Sequence, residues 1–307
     1  MKATILILLT APPCFAQDIS DIRTVPADLT IPKLEEGPPA PGKRVREVLP
    51  EWKNTDVYHI VYLPRDFDPK KQYPVIAEFA GNGGFTSKWG DLSTGLPDGS
   101  KLGYGMSGGK EFIWICTPYL TADGKKIATR WWGDKPKFDP KPTVNYCKKL
   151  VPFICEKYSG DPKRVVIAGF SRGAIAVNYI GLHDDEIAKL WCGFVAYSHY
   201  DGAKLWGYPA SDRKSAHVRL QRLKGRPQLI CHEGGAKSWG LTSAKECIDE
   251  SKVKGRFTFV PTGFRNHADA WTLRPSPARE KLRKWLLEAT RPTAKRSPPN
   301  ADTPAVP

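Results

Sequence analysis

The chain is poor in the residues that several common chemistries need. Its 307 residues include only six histidines, which are scattered, and there is no HExxH helix, so no metal-ligand set is visible. No cofactor is implied either. Beyond the first few residues, no run is long and apolar enough for a membrane-spanning helix. No internal repeat is present, which argues against a solenoid. Acidic residues are outnumbered, with 32 Asp and Glu against 47 Lys and Arg, a net charge of +15. The basic residues are dispersed and no nucleic-acid-reading motif accompanies them, so nucleic acid is not the expected partner. A soluble basic surface accounts for the charge, which also suits an anionic polymer or a membrane surface.

Residues 1–16 read as an export signal. Lys2 is followed by the short apolar run Ala3 to Leu9, then by small residues at Cys14 and Ala16, which places cleavage before Gln17. The expected location is secreted or periplasmic. Residues 17–46 are rich in proline and charge and read as an extended leader lying on the surface. Residues 47–290 make one domain of normal size, and 291–307 a tail with little to bury. Seven cysteines become six once Cys14 is removed, an even number that permits disulfides in an exported protein. Cys147 and Cys155 are about 12 Å apart if one helix holds both, too far to bond unless Pro152 breaks it. Cys116 and Cys231 sit on strand-like runs, as core thiols do.

Strand-like runs cover 56–64, 73–81, 111–120, 165–170, 191–202 and 226–235, with a last strand and loop in GRFTFVPTGFRNH. Helical spacing appears over 142–158, where Pro152 should introduce a kink, and again from about Arg172, near SAKECIDE and over PAREKLRKWLLEATR. Continuously apolar strands alternating with helices predict an α/β fold, with a mostly parallel sheet covered on both faces.

Within this frame GFSRG, residues 169–173, lies between the strand VVIAGF and a helix that opens with small residues. A serine hydroxyl becomes a useful nucleophile only when a histidine takes its proton and a carboxylate orients that histidine. Ser171 is the candidate nucleophile, and the Arg172 backbone N–H a candidate oxyanion donor. A second donor is expected from GNGG after the strand ending near Gly81, from Asn82 or Gly83. His267 in FRNHADAW, after the last strand, is the candidate base. The acid is Glu233, in ICHEGG after the penultimate strand, or alternatively Asp201 in SHYDG. Asp269 is too near His267 along the chain to be chosen. Of the other histidines, His59 and His183 fall in the wrong order, His217 belongs to a surface helix, and His199 and His232 remain near the strand ends. His199, Tyr200 and Trp271 are expected to line a substrate pocket, with Trp89, Trp131, Trp132, Trp206 and Trp239 in neighbouring loops. Flat aromatics there suit sugar rings or phenolic acids.

At these residues the chain resembles the α/β-hydrolase superfamily, and within it secreted esterases of the polyhydroxyalkanoate-depolymerase, feruloyl-esterase and acetyl-xylan-esterase kind. The similarity runs through YLPRDFDPKKQYPVIAEFAG and SGDPKRVVIAGFSRG and covers about residues 55–290. It implies the α/β-hydrolase fold and cleavage of an ester through an acyl-enzyme. Three departures stand out: Ala80 where the family usually has histidine, Ala174 after the elbow, and HEGGAKSWG without the usual aspartate. The Ser171–Arg172 pair is similar to that of glucuronoyl esterases, whose arginine aids the oxyanion. Here it would meet a substrate carboxylate or pair structurally. The expected partner is a small-molecule or polysaccharide ester, and the positive charge suits an anionic glycan. The alternatives are a thioesterase or lipase, with the insertion 122–144 as a cover, and an inactive hydrolase fold that binds glycan through its tryptophans.

Overall fold

The computed structural model describes residues 19–86 and 92–292. The expected export signal, most of the expected tail and Trp89 lie outside those residues. The described strands are β1 (Leu34–Glu35), β2 (Arg44–Glu47), β3 (His59–Tyr62), β4 (Tyr73–Phe79), β5 (Phe85–Thr86), β6 (Leu92–Ser93), β7 (Ile113–Thr117), β8 (Gly160–Phe170), β9 (Gly193–Tyr197), β10 (Pro227–His232) and β11 (Arg256–Pro261). The helices are α1 (Leu102–Ser107), α2 (Lys141–Lys157), α3 (Arg172–Tyr179), α4 (Asp185–Ala188), α5 (Arg213–Leu220), α6 (Trp239–Ser251) and α7 (Pro277–Ala289).

Nine of the strands form one sheet in the order β1-β2-β3-β7-β4-β8-β9-β10-β11. Every pairing from β7 to β11 is parallel, while β3 runs antiparallel to both β2 and β7. This is the α/β-hydrolase fold. Alternation along the strands divides the core between two faces. Val75, Ala77 and Phe79 of β4 and Val165 and Ile167 of β8 pack with residues of α2, α3 and α6. Ile76, Val166 and Ala168 point the other way, toward Leu102 and Tyr104 of α1 and Leu282 and Trp285 of α7. With both faces covered, each strand must be apolar at successive positions, which is why these runs are legible in the sequence.

Glu78 interrupts the apolar run of β4 and is fully buried. Its Oε1 accepts from the N–H groups of Lys101 and Leu102, and its Oε2 from Gly103 N–H and the Trp114 indole. The carboxylate thereby caps the start of α1, meeting donors that no intrahelical carbonyl can satisfy. Burial first, and then the charge of Asp269, push its pKa up to about 7 against the pull of those donors.

One expectation needs correction. The stretch read as a surface leader supplies β1 and β2, and it places Ile22 in the core with its N–H donating to Asn266 Oδ1 at 2.7 Å. In Arg44–Glu47 Val45 is the one apolar residue among charged ones, too weak a pattern to betray a strand whose hydrogen bonds come from its neighbours in the sheet. The helix over 142–158 runs through Pro152 as one element, with the proline on its exposed side. Cys147 and Cys155 both lie on α2, and the six cysteines of the described residues are free thiols, five of them buried.

Candidate active site

Because the central strands are parallel, their C-terminal ends open on one edge of the sheet. Ser171 follows β8, Ser198 follows β9, Glu233 follows β10, and His267 lies in the loop after β11. Ser171 has φ +56° and ψ −114°, a sharp turn from strand to helix, and its N–H donates to Tyr197 O at 3.0 Å. The flanking glycines have a steric origin. A Cβ on Gly169 would lie 2.2 Å from the Gly173 carbonyl, and one on Gly173 would lie 2.0 Å from Phe79 O. Helix α3 can start this close to the sheet only when both are glycine.

The Ser171 Oγ lies 3.1 Å from His267 Nε2, and His267 Nδ1 lies 2.9 Å from Glu233 Oε1. Both separations are hydrogen-bonding distances. Burial pushes the Glu233 carboxyl up, but the hydrogen bond from His267 and the charges of His232 and His267 outweigh it and hold the group below the usual range. Asp201, the alternative acid, is turned elsewhere. Buried between β9 and α5, it accepts a bidentate pair from Arg219 at 2.8 and 2.9 Å. Arg219 gives that carboxylate a partner that a spacing argument could not foresee. Asp269 likewise faces Lys101, at 3.3 Å.

Ser198 was not foreseen. Its Oγ lies 2.8 Å from His267 Nδ1, and it donates to Glu233 Oε1 at 3.2 Å. It is 1 % exposed and sits at φ +86°, a strained value for a residue with a side chain. The His267 Nδ1–H is thus shared by two oxygens. A serine directly after a buried strand was the only sequence signal, and such serines are common.

Of the expected pocket residues, His199 stays near the centre, its ring 5.4 Å from that of His267 and 5.1 Å from Trp206. Its Nδ1 is 2.8 Å from the carbonyl of the preceding Ser198, and burial with the nearby His267 charge lowers its pKa to about 4. Tyr200 lines a small hollow beside His199 and Trp206, and Trp271 is a correction. The Tyr200 hydroxyl donates inward to Gln228, and Trp271 is fully buried in the α1/α7 core. Trp132 is also core, stacked on Tyr179, whereas Trp131 packs on Trp206 and Tyr208 and Trp239 is 63 % exposed. Aromatic loop residues have core space to fill as well as pockets to line, and the sequence does not separate the two. Beside His267 a narrow slot of about 20 Å³ is lined by Gly81, Phe85, Phe170 and Ala268, room for roughly one water-sized group.

Arg172 divides into two parts. Its backbone N–H is in the first turn of α3, where the helix offers it no partner. Its side chain is 1 % exposed and points inward rather than to a substrate. The guanidinium donates to Gly81 O, Gly95 O, Ala128 O and Trp131 O at 2.6 to 3.2 Å, and it lies 3.7 Å over the Tyr119 ring. One side chain therefore ties three loops around the elbow. Gly83 N–H is taken by Thr129 O at 2.7 Å, and Asn82 Oδ1 accepts from Trp131 N–H at 2.8 Å. Among the described residues the Asn82 backbone N–H has no partner, which leaves it, with Arg172 N–H, as the candidate oxyanion pair. Arg172→Lys keeps the charge but loses the fork, stranding two or more buried carbonyls. We expect it to lower unfolding stability by about 3 kcal/mol in a denaturant titration. A loss below about 1 kcal/mol would show that the loops hold together without it.

No protein-family profile matches the chain, and no curated protein matches it. Solved structures do, at low identity. An S-formylglutathione hydrolase from Agrobacterium tumefaciens superposes with a TM-score of 0.54 at 16% identity, covering 82% of this chain and 97% of that one. A Rhizomucor miehei esterase structure gives 0.54 at 14% identity, covering 91% and 92%. The chain spans 62% of the length of a thermostable esterase and 35% of a putative dipeptidyl aminopeptidase IV from Bacteroides ovatus. At these identities the likeness establishes the fold class, α/β-hydrolase.

Proposed function

We propose that this protein is a serine hydrolase that cleaves a carboxylic ester through an acyl-enzyme on Ser171. The observation that carries the reading is the continuous chain Ser171 Oγ–His267 Nε2–His267 Nδ1–Glu233 Oε1, at 3.1 and 2.9 Å. His267 takes the serine proton as the hydroxyl attacks the ester carbonyl. The N–H groups of Arg172 and Asn82 hold the resulting oxyanion. The imidazolium, with its charge balanced by Glu233, then protonates the departing alcohol, and water hydrolyses the acyl-enzyme by the reverse use of the same groups. Esterases among the structures sharing this fold support the choice of ester.

The narrow slot beside His267 supports a short acyl group, and the His199 ring beside that of Trp206 supports an alcohol part with a flat face, such as a sugar. The His199 Nδ1–H donates to the Ser198 carbonyl, so Nε2 is left as an acceptor for a substrate hydroxyl. The deciding experiment is a panel of acetylated sugar, feruloyl, glucuronate methyl and short p-nitrophenyl esters. Turnover of acetyl esters above feruloyl esters is expected. Absence of turnover on every ester would overturn the reading.

A further inference from the structure

The edge of the sheet opposite Ser171 carries a second concavity. The parallel strands β8, β9, β10 and β11 begin there, at Gly160, Gly193, Pro227 and Arg256. A five-residue strand such as β9 spans about 17 Å, so this edge is well removed from the elbow. The concavity measures about 690 Å³, and its lining includes seven Lys and Arg side chains against one carboxylate, Asp161. Two of the seven are committed within the fold. Arg164 pairs with Asp161 at 2.7 Å, and Arg226 donates to the carbonyls of Leu223 and Trp191. Lys163, Lys189, Lys224, Arg256 and Arg291 are exposed and have no carboxylate partner among the described residues. Five like charges around one hollow repel one another, and an anion there would relieve that repulsion.

We propose that this basic cleft binds a carboxylated polysaccharide strand and so holds the protein on an acidic glycan, independently of ester hydrolysis. The lining selects among polyanions. Its one aromatic residue, Trp191, is 2 % exposed, so no face is offered for stacking the bases of a single-stranded nucleic acid. None of the exposed large apolar side chains belongs to the lining, so no wedge enters a lipid surface. What remains is an array of exposed ammonium and guanidinium groups, suited to carboxylates spaced along a flexible chain.

The test uses the full-length protein and polygalacturonate in a binding titration at low and at physiological salt, beside duplex DNA and anionic phosphatidylserine vesicles. The wild type is expected to bind polygalacturonate most tightly, with affinity falling steeply as salt rises. The triple variant Lys163→Glu, Lys189→Glu, Lys224→Glu is expected to lose about tenfold or more in affinity. Its thermal unfolding and p-nitrophenyl acetate turnover should stay unchanged, because these side chains are exposed and lie on the far edge. A wild type that fails to bind polygalacturonate overturns the proposal, as does a triple variant that binds equally well. Tighter binding of DNA or of vesicles overturns it too, since the cleft would then serve a different class of partner. Activity on p-nitrophenyl acetate is read separately, so failure here and failure of the esterase reading are distinguishable.

Discussion

Ser171→Ala is expected to lower kcat/KM on the best ester of the panel by about 10⁵-fold while leaving the fold intact. The hydroxyl is the only part of the side chain with a role in the proposed chemistry, and the loss corresponds to about 7 kcal/mol of transition-state stabilisation. The backbone supports the second half of the expectation. Ser171 N–H bonds Tyr197 O, a contact alanine retains, and alanine bears the same strain at φ +56° as serine. Unfolding stability should therefore change by less than about 1 kcal/mol. The two quantities are read by steady-state kinetics and by denaturant unfolding of the same preparation. Mass spectrometry after brief exposure to substrate should show an acylated wild type and an unmodified variant. A variant as active as the wild type would remove Ser171 from the chemistry altogether.

Glu233→Gln and Asp201→Asn should separate cleanly. Glutamine presents an amide N–H₂ where a carboxylate oxygen accepted, so His267 loses both its fixed tautomer and the charge that balances the imidazolium. The loss in turnover is expected to be about 10³-fold, with Ser198 Oγ, 2.8 Å from Nδ1, still accepting from the ring and limiting the damage. Asp201→Asn should act in the other quantity. It leaves the nearly buried Arg219 guanidinium without its carboxylate, at a cost of about 3 kcal/mol in stability, with kcat per folded molecule nearly unchanged. If the aspartate variant lost turnover and the glutamate variant did not, the roles assigned here would be reversed. The sign of the pH dependence follows from the lowered Glu233 pKa. Its contribution to stability is present above the ordinary glutamate range and fades as pH falls through the depressed folded-state value, a loss that Glu233→Gln should remove.

Much of the frame was legible because it depends on local pattern. Strands buried on both faces are apolar at successive positions, as over residues 73–77 of β4 and 165–170 of β8, and need no partner to be recognised. The elbow was legible for a related reason. Gly169, Ser171 and Gly173 answer to collisions within a few residues of one another and with the strand alongside. Chain order then pointed to His267 and Glu233, since residues after successive parallel strands arrive on one edge.

Side chains whose roles depend on distant partners were not legible. Ser198 gains its place only because β9, β10 and the loop after β11 converge on it. Arg172, read as meeting either a substrate carboxylate or a structural partner, turns inward because Gly81, Gly95, Ala128 and Trp131 present four carbonyls from loops up to 91 residues away. Trp271 went to the core, and no sequence feature separates a buried aromatic from a pocket wall. The strand β2 escaped notice because its hydrogen bonds, rather than its apolar content, make it a strand.

By itself, then, the sequence determined the alternation of buried strands and helices, the position of the elbow, and the edge on which the candidate chemistry would gather. These follow from periodicity and sterics, which act over a few residues. Only the tertiary structure decided that Glu233 rather than Asp201 faces His267, that Arg172 braces loops, and that five cations with no carboxylate partner among the described residues share one cleft. Electrostatics and hydrogen bonding act through space, and their partners are chosen by how the chain returns on itself.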